Sequence, residues 1–298
     1  MAKDLIIGGA SNYTWDHLKY WVNSIKKTGF KGDIVLVCTN ISAKTLDTLT
    51  EQGVKLAIHG EKQPDGSYRA TQNGAPHVER FFYLWHFLKT IDEDYRYVIA
   101  TDTRDVIFQS NPSDYLDILD KTNKDLVVSS EGLNYVDEPW GSQNLHDTFG
   151  PFFHRMIGDK LIYNVGTIAG RKSAVRQLML NIFQMSINRQ IPVVDQAVFN
   201  FLIQECMDDR KILMTNNTNG WAIQLGTTQE SIKAGNGDLG IIVKQHPELY
   251  ERYLNSYKDE QPVFDNGIVK NSQGEAFFIV HQYDRIPTLK EKILELYS

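Results

Sequence analysis

The chain has 298 residues, of which 42% are hydrophobic and 23% charged, and this composition is typical of a globular protein with a sizeable core. Lysine and arginine number 31 against 37 aspartate and glutamate, so the net charge is −6, which argues against a general nucleic-acid-binding protein that must neutralise many phosphates. Only two cysteines occur, Cys38 and Cys206, in apolar and distant positions, which excludes a disulfide framework or a cysteine-based zinc cluster and predicts that both are buried.

The amino-terminal residues enter the apolar segment 5–7 without the features of a signal peptide. No apolar run approaches the roughly 20 residues that a membrane span requires. We therefore expect no transmembrane segment and a cytoplasmic location.

The first sixty residues alternate between strand-like and helix-like segments. Strands are predicted at 5–7, 34–38 and 54–58, with helices at 15–27 and 43–52 between them. This order is typical of βαβ units, so we predict an α/β fold with a Rossmann-like, mixed but mostly parallel central sheet flanked by helices. The polar segment that follows predicts a surface loop over residues 60–75 that closes over a ligand.

The remaining elements are less regular. A helix is predicted at 77–89, a strand at 95–101, a strand at 125–131, a helix at 173–188 and another from Asp195 to about 207. Short strands are expected at 212–214, 241–243 and 276–280. The aromatic segment 132–156 predicts a long irregular loop, and such loops are usually functional.

The most informative segment is the apolar strand that runs directly into Asp102 and Asp105. Strand ends are where α/β enzymes place their chemistry. Two carboxylates held close together repel each other unless a cation or a proton lies between them, and hard divalent ions prefer oxygen ligands. The pair therefore predicts a metal site, although two aspartates alone are equally compatible with a solvated turn or a helix cap.

The segment Asp102-Thr103-Arg104-Asp105 resembles the metal motif of GT-A-fold glycosyltransferases, in the spaced Asp-x-x-Asp form of the glycosyltransferase domains of collagen-modifying lysyl hydroxylases. Further segments resemble the same family pattern and follow in the same order. They are the helix that carries Arg80, the Asn164-Val165-Gly166 segment with Gly170, the pair Asp195-Gln196, and His281 after the last apolar strand.

This resemblance implies a single GT-A domain over residues 1–298, with a nucleotide-binding half at 1–130 and a sugar and acceptor half at 131–298. It implies a metal held by Asp102, Asp105 and His281, or held mainly by Asp105 with Asp102 orienting that ligand. Manganese is favoured over magnesium because Mn²⁺ accepts a nitrogen ligand more readily. By the same resemblance the donor is a nucleoside diphosphate sugar, with UDP expected, and it is bound by Gly8, Gly9, Ala10, Tyr13, Thr39, Arg80, Thr103, Arg104, Asn164, Gly166 and Gln196.

The expected reaction is transfer of the sugar to a hydroxyl of a glycan or glycoconjugate. Arg80, aided by Lys89 or Arg285, would assist departure of the diphosphate. If the anomeric configuration inverts, Asp195 or Glu131 is the candidate base. If it is retained, as the collagen-modifying enzymes imply, the departing phosphate takes the proton and Asp195 positions the sugar.

Other functions stay open at this point. Gly8 and Gly9 follow the first strand as in dinucleotide-binding oxidoreductases, but the G-x-G-x-x-G fingerprint is absent. A metal-dependent nucleotidyltransferase and a noncatalytic nucleotide-sugar or carbohydrate-binding module remain as alternatives. Trp140 is equally a sugar-stacking residue or an aromatic plug of its loop.

Overall fold

Seven strands form the central sheet of the protein in the computed structural model, which describes residues 3–71 and 74–298. The strands along the described chain are β1 (Leu5–Ser11), β2 (Asp33–Thr39), β3 (Lys55–Ile58), β4 (Glu61–Lys62), β5 (Tyr68–Arg69), β6 (Tyr97–Thr101), β7 (Val106–Phe108), β8 (Leu126–Asn134), β9 (Leu161–Arg171), β10 (Ile212–Thr215), β11 (Ala222–Gln224), β12 (Val263–Asp265), β13 (Ile268–Lys270) and β14 (Ile279–His281). The helices are α1 (Trp15–Lys27), α2 (Ala43–Glu51), α3 (Pro76–Thr90), α4 (Pro112–Thr122), α5 (Pro139–Phe149), α6 (Pro151–Ile157), α7 (Lys172–Ser186), α8 (Asp195–Phe201), α9 (Gln229–Ala234), α10 (Gly237–Gln245), α11 (Tyr250–Ser256) and α12 (Pro287–Leu296).

The central sheet has the strand order β10-β8-β9-β6-β1-β2-β3. Neighbouring strands are parallel except at β9, which runs antiparallel to both β6 and β8. The predicted mixed, mostly parallel sheet is therefore confirmed. Because parallel strands end at the same edge, the carboxyl ends of β1, β2, β6 and β8 meet there.

Helices cover both faces of this sheet, because the strand residues are apolar on both sides. Leu5 and Ile7 of β1 pack with α3, α7 and α8, whereas Ile6 packs on the opposite face with α1, α2 and α4. Continuous apolar runs of this kind are typical of parallel strands buried on both faces.

A second sheet of three strands, β11-β14-β7, lies beside the first. β14 pairs antiparallel with β7, so that His281 lies opposite Val106, and parallel with β11, so that His281 also lies opposite Gln224. This small sheet brings the last predicted metal ligand to the connection that carries the first two.

The predicted irregular loop at 132–156 is wrong. β8 extends to Asn134, a 3₁₀ turn follows at Tyr135–Asp137, and α5 and α6 fill the rest. Each helix begins with a proline, which is well tolerated in a first turn, and the Glu138 side chain accepts hydrogen bonds from the backbone N–H groups that open α5. Phe149 and Phe153 pack against each other and against Phe201, whereas Trp140 and Phe152 are exposed.

The strand predicted at 241–243 is also wrong, because these residues lie within α10. Leu239 and Val243, four residues apart, pack into a cluster with Tyr253, while Ile241 is exposed. The spacing of the buried residues, which is that of a helix, therefore decides the structure of this segment, and the short apolar run does not form a strand.

Several smaller differences concern boundaries and burial. The segment predicted as a loop at 60–75 contains the β4–β5 hairpin, and its residues 72–73 lie outside the described part of the chain. The last predicted strand is shorter, so that His281 ends β14 instead of following it. Cys206, at the end of a π-helical turn after α8, is exposed, whereas Cys38 is buried as predicted.

Within residues 3–71 and 74–298, none of the helices has both the length and the apolar character needed to cross a membrane.

Candidate active site

A cavity of about 600 Å³ opens at the carboxyl edge of the central sheet. Most of the residues predicted to form a site line it. They are Gly9, Ala10, Tyr13, Thr39, Arg80, Asp102, Thr103, Arg104, Asp105, Glu131, Asn164, Gly166, Asp195, Gln196 and His281.

Two predicted residues lie elsewhere. Gly8 is not among the residues that line the cavity, and an added Cβ there would collide with the side chain of Thr103. Lys89 lies near the end of α3, where its ammonium group packs 4.9 Å from the centre of the Trp85 ring. Arg285, the alternative to Lys89, does line the cavity.

Asp102, Asp105 and His281 converge at the centre of the cavity. His281 Nε2 is 3.6 Å from Asp102 Oδ2 and 3.6 Å from Asp105 Oδ1. One donor atom from each residue lies within 4.8 Å of the others, and no other such group of three occurs in the described residues. Asp102 follows β6 of the large sheet, whereas Asp105 and His281 belong to the edge of the small sheet.

Backbone hydrogen bonds hold the turn that carries both aspartates. The Asp102 N–H donates to the carbonyl of Gly166 over 2.9 Å, and the Gln282 N–H donates to the carbonyl of Asp105 over 2.8 Å. The turn is therefore tied on one side to β9 and on the other to the end of β14.

The charges of the three residues depend on one another. Burial alone would lower the pKa of His281, but Asp105 and Asp102 outweigh it and raise that pKa to about 9. Burial alone would raise the pKa of both carboxyl groups, but Arg80 and His281 lower that of Asp102, and His281 lowers that of Asp105. Protonated His281 therefore balances the two carboxylates, and a divalent ion bound here would take the place of that proton.

The residues present fit such an ion. Two carboxylate oxygens and one imidazole nitrogen form a mixed oxygen and nitrogen donor set, which suits Mn²⁺ better than Mg²⁺. His281 is only 3% exposed and Asp105 only 7%, so these two donors are shielded from competing solvent.

Gly166 has no room for a side chain beside this group. A Cβ at Gly166 would lie 2.6 Å from His281 Cε1, 2.8 Å from Asp102 Oδ2 and 2.9 Å from Asn164 Oδ1. Separations under 3 Å force neighbouring atoms to move, and here the neighbours are the candidate ligands themselves.

We therefore expect Gly166→Ala to weaken Mn²⁺ binding at least about tenfold by displacing the ligands. The overpacking should cost about 1–3 kcal/mol of unfolding free energy, so the variant still folds. Manganese titration and urea unfolding measure the two effects. Gly274→Ala adds a Cβ in open space and is the control for adding a methyl group, although its positive φ of 84° adds backbone strain. Wild-type Mn²⁺ affinity in Gly166→Ala would show that the ligands need no such clearance.

Arg80 bridges two of the predicted site residues. Its Nη1 donates to Asp102 Oδ1, and its Nη2 donates to Asp195 Oδ2 over 3.0 Å. Asp195 does not occupy the N-cap position of α8, which is Val194, and its carboxylate pairs with Arg80 instead. Arg80 thereby links the metal ligands to the far end of the cavity.

A second network lies at that far end. Asn164 Nδ2 and Gln196 Nε2 donate to Glu131 Oε1 over 2.7 and 2.8 Å. Gln196 Oε1 accepts from the Val165 N–H over 2.9 Å. Burial raises the pKa of Glu131 even though these amide donors act against the shift. The network holds β8, β9 and α8 in register around the cavity.

The opposite end of the cavity is formed by the first strands. Thr103 Oγ1 donates to the carbonyl of Gly9 over 3.0 Å and so fixes the end of β1 to the turn after β6. Burial raises the pKa of Tyr13 despite the nearby Arg104 guanidinium. This end therefore offers an aromatic ring, a cation and exposed backbone beside the metal ligands.

Glu138 and Gln224 are site residues that the sequence analysis missed. Glu138 lines the cavity and its oxygens accept from the Trp140 and Gly141 N–H groups. Gln224 Oε1 lies 2.7 Å from His281 Nδ1. Neither residue belongs to a recognisable sequence motif. The position of Glu138 directly before Pro139, which is typical of a helix cap, is the one sequence signal that could have found either of them.

Burial raises the pKa of Glu138 from its ordinary value of 4.5 to about 7, against the helix N–H groups that favour its charged form. Protonated Glu138 therefore favours the folded state, and this contribution is lost as the pH rises from 4.5 through about 7. Relative to Glu138→Gln, the wild-type free energy of unfolding should fall by at most about 3 kcal/mol across that window. Urea unfolding at pH 5 and pH 8 measures the difference. Parallel pH profiles for the two proteins would contradict it.

The fold is similar to that of a solved glycosyltransferase structure. The structure of WbbM, described as a bifunctional glycosyltransferase, superposes with a TM-score of 0.52 at 13% identity, covering 98% of this chain and 49% of that one. GlyE, a glycosyltransferase of Streptococcus pneumoniae TIGR4, gives a TM-score of 0.47 at 12% identity, covering 99% of this chain and 61% of that one. The chain thus spans about half to three fifths of these proteins, and at such identity the WbbM match shows the fold alone.

No curated protein sequence matches the chain. The family model of nucleotide-diphospho-sugar transferases does match, over residues 41–227. That match covers more than half of the chain and includes Arg80, both metal-motif aspartates and Asp195. The predicted resemblance to nucleotide-sugar transferases is confirmed, and the chain belongs to the nucleotide-diphospho-sugar transferase family.

Proposed function

We propose that the protein transfers a sugar from a UDP-sugar to a hydroxyl group of a glycan or glycoconjugate, with Mn²⁺ held by Asp102, Asp105 and His281. The observation that carries the proposal is the convergence of these three donor atoms within 4.8 Å, in the cavity that also gathers the predicted nucleotide and sugar residues. Residues 1–298 act as one catalytic domain, with the nucleotide bound by the first half and the sugar and acceptor by the second.

The donor lies across the edge of the central sheet. Its base and ribose contact Tyr13, Thr39 and the backbone at Gly9 and Ala10, which line one end of the cavity. Its diphosphate lies at the three metal ligands, where a bound divalent ion would neutralise the charge that develops on the leaving group. Arg104 lines the cavity beside these ligands, its Nη2 lying 3.6 Å from Asp105 Oδ2.

Two further arginines are placed to receive the same charge. Arg80 contacts Asp102 directly, and Arg285 lines the cavity on the side of the small sheet. A guanidinium group binds phosphate oxygens in a bidentate manner that a lysine cannot reproduce. The diphosphate therefore departs into a cationic environment made by this chain.

The sugar lies at Asn164, Gly166, Asp195 and Gln196, at the far end of the cavity. If the configuration inverts, Glu131 or Asp195 accepts the proton of the attacking hydroxyl. The raised pKa of Glu131 favours that residue as the proton acceptor. If the configuration is retained, the departing phosphate accepts the proton, and Asp195, held by Arg80, positions the sugar. NMR of the anomeric proton of the product distinguishes the two routes.

The acceptor enters beside α5. Trp140 lines the cavity and is 36% exposed, and the Glu138 cap fixes the backbone on which it is presented. A partly exposed indole at a cavity mouth suits stacking against the apolar face of a sugar ring.

Donor hydrolysis tests this function. UDP- and GDP-sugars are incubated with the protein and Mn²⁺, and nucleoside diphosphate release is measured with and without EDTA. Release of UDP that stops on chelation supports the transferase. Release of a nucleoside monophosphate or pyrophosphate would indicate a nucleotidyltransferase, and binding of the donor without any turnover would indicate a noncatalytic module.

A further inference from the structure

A chain of buried polar side chains leads from His281, one of the candidate metal ligands, to the large sheet. Gln224 Nε2 donates to Thr167 Oγ1 over 2.7 Å, and Gln224 Oε1 lies 2.7 Å from His281 Nδ1. Thr167 is fully buried, Gln224 is 1% exposed and His281 is 3% exposed. Hydrogen bonds in such an environment are costly to break, because the groups left behind cannot turn to water.

This chain of contacts connects the two sheets. Thr167 lies in β9 of the large sheet, whereas Gln224 and His281 are opposite each other in β11 and β14 of the small sheet. The metal ligands are divided in the same way, because Asp102 follows a strand of the large sheet and the other two ligands lie at the small one. The Thr167–Gln224 hydrogen bond therefore joins the two halves of the site.

The hydrogen-bond roles select one form of the histidine. The amide oxygen of Gln224 can only accept, so Nδ1 of His281 carries a hydrogen when it faces that oxygen. In the neutral ring Nε2 then keeps its lone pair, and Nε2 is the nitrogen that faces Asp102 and Asp105. A flipped amide would place its N–H against Nδ1 and would favour the form that has no lone pair on Nε2.

We infer that Gln224, oriented by Thr167, is a positioning residue that fixes the ring of His281 with its Nε2 lone pair toward Asp102 and Asp105 and holds the two sheets at the spacing that brings the ligands together. This inference rests on the proposed metal-dependent function. It assigns a role to two residues that carry no recognisable motif in the sequence.

Substitutions separate positioning from packing. Gln224→Leu keeps a similar volume and removes the acceptor, so Mn²⁺ affinity should fall about 10- to 100-fold. Gln224→Glu keeps an oxygen acceptor for Nδ1, so affinity should stay close to that of the wild type. Thr167→Val leaves the Gln224 amide without its orienting partner, so its Mn²⁺ affinity should lie between those of Gln224→Glu and Gln224→Leu.

The measurement is calorimetric titration of Mn²⁺ into the full chain saturated with UDP. Thr215→Val is the matched control, since Thr215 is equally buried in a strand and donates to the Val128 carbonyl, away from the cavity. The ¹⁵N spectrum of the His281 ring, with Mg²⁺ and UDP bound, gives a second readout. It should show the hydrogen on Nδ1 in the wild type and a loss of that preference in Gln224→Leu.

A folded Gln224→Leu with wild-type Mn²⁺ affinity would overturn the inference. So would a Gln224→Glu as impaired as Gln224→Leu, because an oxygen acceptor opposite Nδ1 would then not be what sets the Mn²⁺ affinity. If Gln224→Leu does not fold, the Mn²⁺ affinities of Thr167→Val and Thr215→Val are compared instead. Equal affinities would overturn the inference, and a lower affinity in Thr167→Val would support it. A wild-type protein that binds UDP but no Mn²⁺ would instead reject the proposed function.

Discussion

Asp105→Ala should reduce sugar transfer about 1,000-fold in kcat/KM, which corresponds to about 4 kcal/mol of lost transition-state stabilisation. Asp105 supplies one of the three donor atoms, and its carboxylate lies 3.6 Å from His281 Nε2. Its removal also relieves the repulsion with Asp102, so the fold should be retained. Donor turnover at saturating Mn²⁺, with thermal unfolding measured in parallel, tests both statements.

Asp117→Ala is the control for Asp105→Ala. Asp117 is also an aspartate paired with an arginine, Arg96, but it is exposed and lies outside the cavity. This variant should turn over donor at the wild-type rate. Unchanged turnover in Asp105→Ala would show that the ion, if one is used, is held elsewhere.

Arg80→Met should have the second-largest effect, lowering kcat about 100-fold and stability by about 1–3 kcal/mol. The substitution leaves Asp102 and Asp195 without their shared cation, and Asp195 is only 4% exposed. The stability figure is below that of a fully buried pair because Arg80 and Asp102 lie at the cavity and are partly hydrated.

The loss of stability in Arg80→Met should depend on pH. Arg80 helps to hold the pKa of Asp102 below its ordinary value of 3.8, against the effect of burial. The stabilisation is therefore complete above about pH 4 and is lost as the pH falls through the lowered pKa. Urea unfolding should show the full difference from wild type at pH 7 and a smaller one below pH 3.8.

Arg96→Met separates these effects. Arg96 likewise bridges two aspartates, Asp4 and Asp117, but none of the three lines the cavity. The Arg96→Met variant should therefore lose stability but turn over donor at the wild-type rate. If Arg80→Met and Arg96→Met lose turnover equally, Arg80 acts only on the fold and has no role at the donor.

The elements that the sequence predicted well are those whose signals are local. Helix α1 follows from the spacing of Leu18, Val22 and Ile25, and β6 follows from one apolar run that ends at Asp102. In each case the residues that decide the structure lie within a few turns or one strand length. The mostly parallel sheet follows from the order of such elements.

The predictions that failed depended on distant contacts. Whether 132–156 is helical depends on packing against Phe201, and whether 241–243 is helical depends on Tyr253. The candidate site shows the same division. Asp102 and Asp105 were found from the strand that precedes them, whereas His281 was found only through the family order of motifs.

Gln224 could not be found from the sequence at all. It lies in a three-residue strand, and its role arises only when β11 pairs with β14 and places it opposite His281. Glu138 differs, because a carboxylate before a proline-initiated helix is a recognisable cap; its place in the cavity nevertheless depends on the tertiary fold.

The most direct test of the account is calorimetric titration of UDP and GDP, each with and without Mn²⁺, into wild-type protein and Asp105→Ala. We predict UDP binding that requires Mn²⁺ and disappears in Asp105→Ala. Absence of nucleoside diphosphate binding under every condition, or binding that ignores both Mn²⁺ and the substitution, would contradict the proposed metal-dependent sugar transfer.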